Sequence, residues 1–196
     1  MPSFENVCEN VFKEKDFLKK FLIGGLLSMI PFLSVVYFVE VSKEFHQKKR
    51  VILPDWENYL QMLKSGYQGI ILLLVYFGIP WFVGAILSEI IEWITFGGVG
   101  LIEYLPLLIL LSVAPAFYAT SIYFLVRGAV WKDLLDVKNI AQMLFSIRQY
   151  LIFPTLIFWG LMFLGAPVYG FSFFLGFLIY LIYIQILFSN LERNQK

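Results

Sequence analysis

From Gln149 to Leu191 the chain runs 43 residues without one charged side chain. No other feature restricts its fold as much, because a helix needs only ~20 apolar residues to cross a bilayer core. Shorter charge-free gaps of 19, 24 and 23 residues follow Lys20, Lys64 and Glu103. The shorter gaps hold one span each and the long one holds two, which predicts an all-α integral membrane helical bundle of about five apolar segments. Within the long gap, Gly165-Ala166-Pro167 and Gly170 gather helix breakers between Tyr150–Leu164 and Phe171–Phe188. Composition agrees: 60% of residues are hydrophobic and 15% charged, against about 25% charged in a soluble domain.

A net charge of +1 gives no long-range field for a nucleic acid, so the charges matter by location. Lys and Arg number five in Ser42–Ser65 and four in Arg127–Gln149, with none in Glu89–Glu103 or in the turn around Pro167. The positive-inside rule therefore makes the two basic loops cytoplasmic. Their Lys48, Lys49, Arg50, Arg127 and Lys132 are candidates for contact with anionic lipid headgroups. The N-terminal head conflicts with this, since a fully crossing first segment puts Lys13, Lys15, Lys19 and Lys20 outside. Either that mixed-sign head crosses, or the chain re-enters between Gly24-Gly25 and Pro31. The head lacks the basic start and small-residue cleavage site of a signal peptide, so the first apolar segment is expected to stay in the protein. Cys8 is the only cysteine, which excludes an internal disulfide.

An internal echo organises the chain further. Asp55–Gln68 reads DWENYLQMLKSGYQ and Asp136–Gln149 reads DVKNIAQMLFSIRQ, identical at seven of fourteen positions. Leu26-Leu27-Ser28-x-x-Pro31 likewise recurs as Leu110-Leu111-Ser112-x-x-Pro115. The spacing predicts one membrane domain over residues 1–196, built from two parallel pseudo-repeats at about 18–88 and 103–188, each with a cytoplasmic amphipathic helix. On those helices Asn58, Gln61, Ser65 and Gln68, and again Asn139, Gln142, Ser146 and Gln149, form one polar stripe per copy. The stripes either face the headgroup layer or meet as a ladder of amides.

Catalytic chemistry has little to stand on. The sole histidine, His46, lies in a basic loop, and no phosphate loop, nucleophile elbow or His-rich metal motif is present. No cofactor is expected. The central thirds of the five apolar segments hold no ionisable group of the kind that couples transport to ions. Ser112, Ala116 and Thr120 recur every four positions, which suits close packing of another helix, within the chain or from a second copy.

The run FLKKFLIGGLLSMIPF at Phe17–Phe32, the LPDW at Leu53–Trp56, Gly66-Tyr67 and Tyr76-x-x-x-Pro80 resemble an uncharacterised prokaryotic multi-pass membrane family, domain of unknown function number 4013. Val36-Tyr37 departs from the Gly-Tyr that this family places late in its first span. The resemblance implies a protein of the prokaryotic cytoplasmic membrane and no catalytic residue. Two roles are expected: a non-enzymatic scaffold or complex subunit, partnered by the lipid bilayer, a membrane protein or a second copy, or a small transporter or lipid-handling channel between the repeats. A polar hollow between the halves favours transport, and a packed interior favours the scaffold.

Overall fold

The computed structural model describes residues 3–194, which are almost wholly helical and contain no strand. The helices are α1 (Phe4–Phe12), α2 (Phe17–Leu27), α3 (Pro31–Lys48), α4 (Tyr59–Leu73), α5 (Ile79–Thr95), α6 (Leu105–Val126), α7 (Trp131–Leu134), α8 (Val137–Ser146), α9 (Arg148–Leu164) and α10 (Tyr169–Asn194). Three stretches are long and apolar enough to cross a membrane: Tyr59–Thr95, Gly100–Val126 and Ala166–Glu192. The bent pair α8–α9 makes a fourth if it is counted as one span. Their length and apolar composition are compatible with a membrane protein.

A helix that is apolar all round must be buried all round or face lipid, and the chain contains both cases. In the apolar span of α10, 78% of residues are buried, against 22% in Tyr59–Thr95. α10 is thus the hub, and aromatic contacts fix its neighbours' directions. Tyr118 stacks on Phe177 at 5.1 Å and Tyr123 meets Phe188 at 5.1 Å, so α6 runs parallel to α10. The Ser172 hydroxyl donates to the Gly165 carbonyl, and the Thr155 and Tyr180 hydroxyls lie 3.0 Å apart, so α9 runs antiparallel. α5 packs chiefly on α6 and projects from the hub with Trp93, Phe96 and Leu101 exposed.

The first apolar segment, expected to hold one span, is two helices. α2 stops at Leu27, Ile30 is extended (φ −115°, ψ 99°), and Pro31 opens α3. A proline pushes the residue before it out of the helical region, the more so when that residue is β-branched. The break is also docked: Gly170 sits so close that a Cβ there would meet the Gly25 carbonyl oxygen at 2.5 Å. α2 runs antiparallel to α10, with Gly25 beside Phe171 and Gly24 beside Phe174, whereas α3 runs parallel, with Phe38 on Phe174 and Ser42 bonded to Gln185. The two therefore form a hairpin. Its ends lie together, because Lys13 and Glu14 line one pocket with Lys49 and Arg50.

The other prolines are absorbed. Leu74–Gly78 form a π-turn just before Pro80, and such a widened turn accommodates the missing N–H while α4 and α5 continue as one 37-residue helix. Pro115 lies inside unbroken α6, preceded by the small Ala114, and Trp159 donates to the neighbouring Ser112 carbonyl at 3.3 Å. The bend comes instead at Ile147, where α8 and α9 meet at 99°.

Candidate functional site

Between α3, the return segment and α4 lies a polar crevice of about 650 Å³. Its walls are the C-terminal half of α3, the return segment 52–55 and the first turns of α4. The return segment is extended because it must lead from the end of α3 back toward its middle, where Trp56 stacks on Tyr37 at 4.1 Å. Tyr59 then donates to the Leu33 carbonyl at 2.8 Å and starts α4 against α3. Gly66 permits that approach: a Cβ there would stand 3.0 Å from the Val36 Cα.

Charge within the crevice is balanced pair by pair. Lys43 bonds Glu40 at 2.6 Å, and the Ser65 hydroxyl donates to the same carboxylate at 2.5 Å. Lys48 pairs with Glu44 at 2.5 Å. Behind the return segment Lys20, only 7% exposed, lies 3.3 Å from Asp55 and donates to the Leu53 carbonyl. The crevice lining thus holds three carboxylates and two lysines, with exposed Asn58 and Gln61 among them, and Lys20 pairs with the third carboxylate from behind the return segment. Paired carboxylates and lysines can hold a polar or zwitterionic group, and the one hydroxyl bonded to a carboxylate here, Ser65 on Glu40, shares that carboxylate with Lys43. Among the described residues no three of His, Cys, Asp or Glu are placed to hold a metal ion.

The two stripes have different surroundings. Asn58, Gln61 and Ser65 line the crevice, with Gln68 half-buried farther along α4. Asn139, Gln142, Ser146 and Gln149 are exposed, and the Ser146 hydroxyl bonds only the local Met143 carbonyl. α4 packs on α3 and α6, and α8 packs on α6. Of the candidate headgroup residues, Lys48 lies in the crevice, Lys49 and Arg50 line the second pocket beside α1, and Lys132 is exposed on α7. Arg127 forms an ion pair with Glu192, which also accepts from Tyr123 at 2.7 Å, and this closes the ends of α6 and α10 together. Burial, then Lys49 and Arg127, hold the His46 imidazole below its ordinary value.

Glu40, Lys43, Lys20 and Asp55 were not singled out from the sequence. Lys20 and Asp55 are 35 positions apart and carry no shared spacing, so only the hairpin joins them. Glu40 and Lys43 had a legible signal, an i, i+3 pair on one helix, and Ser65 was legible as part of the stripe, but not its bond to Glu40.

Comparison with family models, with curated proteins and with solved structures finds no match. The crevice therefore has to be interpreted from its own geometry.

Proposed function

We propose that the protein is a non-enzymatic multi-pass subunit or scaffold of the prokaryotic cytoplasmic membrane. The observation that carries this reading is the packed interior around α10. Phe38, Tyr118, Phe158 and Phe177 fill the contact between the two halves at 0–2% exposure. The projecting apolar hairpin α5–α6 suits a membrane partner or a second copy better than a monomer's own core. Basic residues 48–50, 127 and 132 and the head at 13–20 then lie on the cytoplasmic side, with Glu92 and Pro167 opposite. This orientation removes the conflict between the basic head and the positive-inside rule.

A parallel duplication fits the same reading. α3 and α6 both run parallel to α10, and the helices that follow the two stripes both run against it. The crevice supports a second role, uptake of a neutral or zwitterionic solute or a lipid headgroup from the cytoplasmic side.

Reconstitution distinguishes the two. Proteoliposomes of a scaffold scramble fluorescent phospholipid and release trapped glycerol no faster than protein-free vesicles. Rates well above that background, abolished by Gln61→Trp in the crevice, would establish the transport reading and overturn this one.

A further inference from the structure

We infer that the elbow between α8 and α9 is a binding site for an anionic phospholipid, with the phosphate at Arg148 and an acyl chain in the groove above it. The groove, about 410 Å³, lies between α6, α8 and α9 and is lined by Val113, Phe117, Leu144, Phe145, Ile152 and Leu156 among others. No carboxylate lines it, and Arg148 is its one charged residue.

The geometry matches the layers of a lipid. α9 carries the apolar run of the bent pair, and α8 leaves it at 99°, so when α9 crosses the bilayer α8 lies along its surface. Buried Ile140 and Leu144 hold α8 down, whereas Phe145 on its other side stays exposed. The Arg148 guanidinium lies 5.5 Å above the Phe145 ring, at the mouth of the groove where headgroups would be. Arg148 also opens α9, so the positive end of that helix's dipole is at the same mouth. From there Leu151, Ile152, Thr155 and Leu156 continue inward for about two turns along the line an acyl chain would take.

Charge complementarity selects the lipid. A zwitterionic headgroup brings its own cation to an arginine, whereas phosphatidylglycerol offers a phosphate with no competing cation. The crevice differs on this point: its lysines already face carboxylates, while no salt bridge occupies Arg148 among the described ion pairs. The site requires only that α9 cross a bilayer and is independent of the role proposed above.

Native mass spectrometry of the full chain, released from nanodiscs of equimolar phosphatidylglycerol and phosphatidylcholine, tests it. The wild type is expected to retain phosphatidylglycerol about fivefold over phosphatidylcholine, the ratio equivalent to ~1 kcal/mol for one basic side chain at an anionic surface. Arg148→Gln brings the ratio near one, and Arg148→Lys keeps most of it. Ala141→Phe, which fills the groove, lowers retention of both lipids while far-ultraviolet circular dichroism stays unchanged. Equal retention by the wild type, or a preference that survives Arg148→Gln and Ala141→Phe in helical protein, overturns the assignment.

Discussion

Asp55–Gln68 and Asp136–Gln149 are written with half their letters in common, yet the chain takes opposite paths through them. In the first copy the helix continues without a break from Tyr59 to Thr95, and in the second it turns by 99° at Ile147. The Pro echoes divide the other way: Pro31 opens a new helix after a break, and Pro115 lies within an unbroken one. Even the shared aspartate changes partner. Asp136 caps α8 by accepting the Asn139 N–H at 3.0 Å, whereas Asp55 pairs with Lys20 across the hairpin. The identical letters do not determine the path; their non-identical neighbours do. Gly66 lets α4 lie on α3, and its counterpart Ile147 is a fully buried side chain that pins the elbow.

The comparison breaks most readily at that register position. Ile147→Ala removes a buried β-branched side chain and is expected to cost 2–5 kcal/mol, roughly, in thermal or denaturant unfolding. Gly66→Ala drives a Cβ against the Val36 backbone, and about 1–3 kcal/mol is expected for such overpacking. If Gly66→Ala is neutral, α4 does not rest on α3 and the crevice loses its wall. Ser65→Ala deletes the bond to Glu40 and should cost ~1 kcal/mol. Ser146→Ala, with only a local bond, should stay within about 0.5 kcal/mol. Equal effects at the two serines contradict the different placement of the stripes.

The smallest effect is electrostatic. With its folded pKa depressed, neutral His46 contributes stability above its unfolded value, and this is lost as pH falls through the folded one. His46→Gln should therefore flatten a slight loss of stability below about pH 6.5, and an imidazole titrating above that value by NMR contradicts the packing of α3 beside Arg127.

Much of this architecture was legible in the sequence for simple reasons. A charge-free run long enough to cross a bilayer has few alternatives, and the runs after Lys64 and Glu103 became helices as expected. The breakers at Gly165–Pro167 mark the turn before α10. The hairpin was visible only as a conflict of charge, because a proline in an apolar run either breaks or passes through. The outcome depends on the residue before it and on what docks there, Ile30 with Gly170 in one case and Ala114 with Trp159 in the other. Apolar periodicity located the stripes but not their surroundings, since Asn58 and Gln61 look alike whether they face water or a crevice. Lys20 sits at the edge of an apolar run, where a snorkelling side chain is ordinary. Its burial against Leu53 and Asp55 is a tertiary fact.

The central claim is that the first half opens with a hairpin whose two ends share a side, while the α5–α6 tip lies on the other. In a Cys8→Ser background, single cysteines at Lys13, Lys49, Lys132 and Gly97 can be labelled with a membrane-impermeant maleimide in intact cells and in inverted vesicles. Positions 13, 49 and 132 are expected to react only in inverted vesicles, and position 97 only in intact cells. If position 13 reacts from the side opposite to position 49, the first segment crosses once and the hairpin account is wrong.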